Sequence, residues 1–480
     1  MANCEKLTIR TATAAPLTSA FRIVGLLLAL GLLVACHSPT SKQNFRVTPL
    51  AVYDTGGKLD EHRSLKIVET TLGEIPNIHE FEQAMQKVQS LTGSPLYNDN
   101  HVTLLVDGPK TYDAMLQEIS QAKSHIHLET YIFSSDIVGH RFRTVILERL
   151  RAGVEVKIIF DGVGSLNSED EFFKKMKDAG AEVLAFHPVN PLDGGNPLEL
   201  PFRDHRKLLI VDGITAFTGG INITEDYSSS STDEKPKPPK DSKKDDETET
   251  GWRDTHVRIN GPVVHEFERL FLETWNSQAE QKVADLTSYY GKQEKAGDHL
   301  VRVIGSDGGD LELSEVRQAY LYAMEAARKN IWITQAYFVP DPEFLEELKD
   351  AAKRGVDVRL LLPGISDSTM VLNATRAHYT DLLTAGVRIY ETKDIILHAK
   401  TAVVDNVWST VGSSNLDTLS FFMNHEVNAT VLGSAFGNAL AERFEKDLNY
   451  AREINLKEWK GRPFYVKFKQ NFFKLLKFGL

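Results

Sequence analysis

One phrase is written twice in this chain, 193 residues apart: His205-Arg206-Lys207-Leu208-Leu209-Ile210-Val211-Asp212 and His398-Ala399-Lys400-Thr401-Ala402-Val403-Val404-Asp405. Each copy is followed by a small-residue step and an asparagine, Gly219-Gly220-Ile221-Asn222 and Gly412-Ser413-Ser414-Asn415. From His to Asn is 17 residues both times. The duplication extends further. SHIHLETYIF (124–133) parallels KNIWITQAYF (329–338), and RAGVEVKII (151–159) parallels KRGVDVRLL (353–361), in the same order. Such a chain is a tandem repeat of one domain, and its function must use two equivalent sets of side chains.

Within each half, helical and strand-like patterns alternate. Residues 113–123 and 141–152 carry helical apolar spacing, the latter stopping at Gly153, and 126–133 and 154–160 read as strands. The second half repeats this with helices over 314–328 and 342–353 and strands over 331–338 and 356–362. Alternation of this kind predicts an α/β fold, each half a mostly parallel sheet covered by helices. Domains are expected at 76–290 and 291–480, with an insert at 228–250 of Ser, Lys, Asp, Glu and Pro that cannot build a core.

Before the repeats, IVGLLLALGLLV (23–34) follows Lys6, Arg10 and Arg22 and ends in Leu33-Val34-Ala35-Cys36. The run is shorter than the roughly 20 residues of a spanning helix. It reads as an export signal over 1–35. The Leu-Val-Ala-Cys step resembles the lipobox of bacterial lipoproteins, which implies that Cys36 becomes a lipidated first residue. In a host with an outer membrane, His37, where an aspartate would favour retention, would favour sorting there. An uncleaved anchor in the inner membrane is the alternative. Both place the body outside the cytoplasm, against a membrane. Residues 36–75 are expected to be mostly tether. With only Cys4 and Cys36, no disulfide framework is available.

Residues two apart on a strand share a face, so His205 with Lys207, and His398 with Lys400, would present two imidazoles and two ammonium groups to a phosphate held between the copies. Phosphodiester chemistry through a phosphohistidine needs such a set. Asn222 and Asn415, beyond their glycine steps, would donate to phosphoryl oxygens. Asp212 and Asp405 have the opposite parity and end their strands, where a structural role is expected. A neutral histidine nucleophile needs its second ring nitrogen held by an acceptor, and Asp254 and Glu426 are the candidates. Glu129, Tyr131, Gln335 and Tyr337 are weaker candidates for lining a cleft, strand packing being the alternative. His187, His256 and His378 are expected to be exposed or satisfied. No cofactor or metal is implied: His and Lys two apart do not make a ligand set.

The duplicated His-x-Lys-x4-Asp with its following Gly/Ser-x-Asn resembles the signature of the phospholipase D superfamily, over about residues 104–448. Pro201-Phe202-Arg203-Asp204, Trp252-Arg253-Asp254-Thr255-His256 and Tyr337-Phe338-Val339-Pro340-Asp341 are similar to bacterial cardiolipin synthases. The resemblance implies two tandem phospholipase D-type domains packed with pseudo-two-fold symmetry. It also implies a covalent phosphatidyl-histidine, with His205 as nucleophile and His398 as acid and base, and with Lys207, Lys400, Asn222 and Asn415 stabilising the pentacoordinate state. The expected partners are a phospholipid and a membrane surface. The leading function is phosphatidyl transfer that makes cardiolipin. Hydrolysis to phosphatidic acid is the near alternative, and nuclease and non-catalytic lipid binding are remoter ones. A net charge of −11 argues against a general nucleic-acid binder. The final segment, FYVKFKQNFFKLLKFGL (464–480), is basic and aromatic; it suits either a lipid interface or a helix packed on the second domain.

Overall fold

The computed structural model describes residues 48–190, 195–228, 251–309 and 314–475. The expected export signal with Cys36, the first part of the expected tether and nearly all of the 228–250 insert lie outside the described residues.

Seven strands in one order make each half. In the first, Glu182–Phe186, Glu155–Asp161, His125–Thr130, Lys207–Val211, Thr215–Gly219, Thr255–Asn260 and Leu96–Val106 are successive neighbours. In the second, Arg388–Thr392, Asp357–Leu362, Asn330–Gln335, Lys400–Val404, Trp408–Gly412, His425–Leu432 and His299–Asp307 repeat it. Leu96–Val106 also pairs antiparallel with His299–Asp307, joining the halves into one sheet. The α/β class and the duplication are as expected.

The strand directions correct the expectation of mostly parallel sheets. In each half only the first two junctions are parallel, and the other four are antiparallel. The motif strand is the cause. It turns at Asp212-Gly213, or at Asp405-Asn406, all four with φ between 50° and 63°. A turn this short can join only antiparallel neighbours.

The motif strands are buried on both faces, as the apolar runs LLIV and TAVV require. Leu209 and Val211 pack beneath the outer helices Asp107–Gln121, Ile137–Arg151 and Asp170–Asp178. Leu208 and Ile210 point into a core shared with Val403, Val411 and Val427 of the other half. Helices Val264–Gln278 and Ser434–Leu448 also pack into that shared core, between the two halves of the sheet, and the remaining helices cover the outer faces.

Residues 48–92 depart from the expected boundaries. They carry the strand Val52–Asp54 and helices Glu61–Leu72 and Ile78–Thr92. Leu50, Val68, Phe81 and Met85 share a core with Leu300, Ile304, Val316 and Tyr320 of the second half. The stretch to 75 is thus folded from residue 48 on, except for its turns. The helix assigned to the start of the first domain packs on the second. The Asp60 side chain, which caps Arg63 N at 2.9 Å, was a legible helix-start signal. The C-terminal helix Phe464–Leu475 packs on Thr369–Ala377.

Candidate active site

Each motif strand begins against the other half. His205 N donates to His425 O at 3.0 Å, and His425 N donates to Arg203 O at 2.9 Å. Ile396–Leu397, just before the second histidine, runs parallel to Trp252–Arg253, and His398 N donates to Arg253 O at 2.8 Å. These main-chain stitches place each histidine beside the acidic residue of the opposite half. His205 Nδ1 lies 2.9 and 3.1 Å from the two Glu426 oxygens. His398 Nδ1 lies 2.8 Å from Asp254 Oδ2. The sequence named both acids; the structure shows that the pairing is crossed.

The electrostatics follow from burial. Both carboxylates are fully buried, which by itself raises a carboxyl pKa. The His205 and Lys207 charges, with hydrogen bonds from His205 and Ser413, nevertheless hold Glu426 below the usual range. The His398 hydrogen bond and the His398 and Lys400 charges do the same for Asp254. An ionised acceptor fixes a proton on Nδ1, so that a neutral ring keeps its lone pair on Nε2, as a nucleophile needs. Burial, with Lys207 and Lys400 nearby, pushes His205 down to about 4. Burial and Lys400 also lower His398. Burial pushes Lys207 down to about 7 and Lys400 to about 8. Each lysine charge acts on the histidine of the other copy, so the four groups share one site. Its poorly solvated cations fit an arriving phosphate.

The ammonium groups are held by main chain, Lys207 Nζ to His205 O at 2.7 Å and Lys400 Nζ to His398 O at 2.5 Å. Lys207 also lies 5.3 Å over the Tyr131 ring, which meets His205 edge-on. The small-residue steps differ instructively. Ser413 Oγ donates to Glu426 Oε2 at 2.5 Å. At the equivalent Gly220 a Cβ would stand 2.3 Å from Asp254 Oδ1. The hydroxyl on that side comes from Tyr227, which sequence reasoning missed. It is fully buried, with Oη 3.0 Å from His398 Nδ1 and 3.2 Å from Asn222 Nδ2. Trp252 packs on both Tyr227 and His398. Tyr227 and Trp252, on either side of residues 229–250 in sequence, therefore both pack on His398. The only sequence signal was position: Tyr227 lies five residues beyond Asn222. Asn222 Oδ1 accepts from Ile132 N at 3.3 Å, and Asn415 is buried with its amide oxygen unpartnered.

Asp212 and Asp405 do not reach the site. Each ends its strand, roughly 20 Å from the histidine at about 3.3 Å per residue. Asp212 accepts from Lys123 N, Ser124 N and His125 N. Asp405 accepts from Arg328 N, Lys329 N and Asn330 N, and from Asn77 Nδ2. Both anchor main-chain amides at the far end of the strand and are not members of the histidine site. Glu129 lies on the opposite face from Lys207, buried beside Arg206. Thr130 and Gln335, opposite Lys207 and Lys400, are the equivalent strand positions. Tyr337 donates to Asp367 at 2.6 Å. His187 Nδ1 donates to Phe202 O, His378 is buried, and His256 is buried with both nitrogens unpartnered. Burial, not exposure or satisfaction, describes His256. Among the described residues, His125, His127 and Glu268 are grouped closely enough to hold a metal ion, but Glu268 already bridges the two imidazoles.

The family model described as "Cardiolipin synthase, PLD-like domain" matches residues 115–234 and 320–448, one motif in each stretch. This chain belongs to that phospholipase D-like family. As a member it is a phospholipase D-type transferase. The cardiolipin synthase of Alkalihalophilus pseudofirmus is 32% identical over 80% of this chain and 73% of its own length. The major cardiolipin synthase of Bacillus subtilis is 32% identical over 79% and 75%, and the cardiolipin synthase of Listeria monocytogenes 34% over 84% and 80%. The crystal structure of phosphatidylserine synthase from Haemophilus influenzae superposes with a TM-score of 0.60, at 13% identity, over 79% of this chain and 95% of that one. At that identity the likeness speaks for the fold.

Proposed function

We propose that this phospholipase D-like family member is a membrane-associated phosphatidyltransferase that makes cardiolipin from phosphatidylglycerol or a related phospholipid. The supporting observation is the crossed pair of buried imidazole–carboxylate dyads, each with its lysine beside it. The relatives named cardiolipin synthases support the substrate class.

In this reading His205 Nε2 attacks the phosphorus and a P–N bond forms. The bond from phosphorus to the headgroup oxygen breaks, and His398, which takes up a second proton as the bound phosphate anion offsets the lysine charges, gives that oxygen its Nε2 proton. Lys207, Lys400, Asn222 and Asn415 carry the added negative charge of the pentacoordinate state. In the second half-reaction His398 takes the proton of an incoming lipid hydroxyl. The new P–O bond forms as the P–N bond breaks. The mature chain is held to the extracytoplasmic membrane face through lipid on Cys36. Labelled palmitate should enter the parent protein and not a Cys36→Ser variant.

The deciding experiment incubates the purified protein with phosphatidylglycerol vesicles and identifies products by mass spectrometry. Cardiolipin with glycerol is expected. Phosphatidic acid alone would make the chain a hydrolase, and cleaved DNA with untouched lipid would remove both readings. His205→Ala and His398→Ala should each abolish turnover, and only His398→Ala should retain a labelled phosphatidyl-protein adduct.

A further inference from the structure

Among the described residues, most exposed large apolar side chains surround one end of the protein. The loops that follow the parallel strands converge on the histidines, because Thr130 faces Lys207 and Gln335 faces Lys400 across the sheet. On those loops or the helix starts just after them, Ile137, Leu166 and Leu198 of the first half and Ile365 and Met370 of the second are exposed. Among the described residues, only Ile214 of the exposed large apolar side chains sits in the motif hairpin turn, the end opposite the imidazoles. Single exposed apolar residues are ordinary; a set sorted to the mouth of one site is not.

The C-terminal helix extends this rim. Val466 is half-buried, Gln470 buried and Phe473 packed with Tyr337, Val339, Val371 and Ala374, so that face is settled against the Thr369–Ala377 helix. Phe464, Tyr465, Phe468 and Phe472 are 50–81% exposed. At about 100° per residue these four aromatics fall within one arc of roughly 100°. Lys467 and Lys469 stand on its two flanks, and Lys460 is exposed just before the helix. Aromatic rings bordered by lysines match the depth profile of a bilayer boundary: rings among the upper acyl chains, ammonium groups among anionic phosphates. A second protein surface would instead cover both rings and lysines.

We infer that this rim, the helix face Phe464–Phe472 together with the loop tips at Leu166 and Ile137, is the docking surface for an anionic lipid bilayer. It would set the site mouth against the layer from which substrate enters. The inference rests on the proposed lipid substrate, and the test keeps the two apart.

Tryptophan reporters are introduced singly as Phe468→Trp, Leu166→Trp and Ile214→Trp in the full chain carrying His205→Ala, which removes turnover from the readout. Vesicles of phosphatidylglycerol with brominated acyl chains are added, and the emission of the unsubstituted His205→Ala chain is subtracted. The added emission of Phe468→Trp and Leu166→Trp should fall at least twofold, with a blue shift, and that of Ile214→Trp should not change. Phosphatidylcholine vesicles should quench the first two less. Equal quenching of all three, or of none, overturns the surface. Emission of Phe468→Trp that ignores lipid but shifts with protein concentration overturns it in favour of contact between copies. Quenching as expected, together with a parent enzyme that makes no cardiolipin, would leave the docking surface standing and remove only the reaction.

Discussion

Each histidine depends on a residue from the other half, and its hydroxyl neighbours differ. Ser413 serves the His205 dyad, while Tyr227 serves His398, on the side where Gly220 leaves room for the Asp254 carboxylate. Tyr227→Phe removes one hydroxyl from a fully buried dyad. It should lower kcat about 10- to 100-fold, the equivalent of about 1.4–2.7 kcal/mol. It should also move the pH profile of kcat while leaving KM within about twofold; an unshifted profile would make the residue merely structural. The lysines set a second pH dependence. In the substrate-free protein Lys207 loses its proton near 7 and Lys400 near 8, so kcat/KM should fall as pH rises through 7 to 8. Lys207→Arg keeps its charge, and its residual activity should show that limb displaced upward. For folding the sign is reversed. A lysine whose pKa is lowered on folding binds its proton more tightly in the unfolded chain, so the contribution of these lysines to unliganded stability rises from pH 7 toward 10.

At the scale of elements, the motif hairpin separates chemistry from support by its length. The strand start holds His and Lys; the far turn holds an aspartate that gathers the amides opening the neighbouring strand. Asp405→Ala leaves buried or half-buried N–H groups without their acceptor, a loss of about 1–3 kcal/mol, and Asp212→Ala, whose partners are mostly exposed, should lose less. Urea unfolding should show that loss, while kcat per folded molecule stays within about twofold of the parent. Loss of kcat with unchanged stability would return the aspartates to the chemistry. Parity along the strand made this division legible before any coordinates, because the alternation of faces is local. Tyr227 was not legible, because only the return of the chain after Asn222 brings its hydroxyl to His398.

The whole molecule behaves as one unit with a shared core, not as two beads on a tether. Residues 48–92 complete the core of the distant half, so a chain beginning at residue 93 should lose cooperative folding and activity together. A truncated chain with the parental unfolding midpoint would show that this segment is dispensable. Separately expressed halves should be inactive alone, since neither holds both members of a dyad.

The sequence by itself determined the duplication, the α/β class, the His, Lys and Asn frame and the two acids. All of these are written in short-range spacing and in repetition, which local backbone geometry translates directly. It did not determine the crossed pairing of those acids, the antiparallel majority of the sheet or the place of residues 48–92. It also left open which face of the last helix would be covered. Those depend on contacts between residues tens to hundreds of positions apart, whose closure is decided by the packing of the two sheets on one core, and no local pattern along the chain records which half will supply the partner.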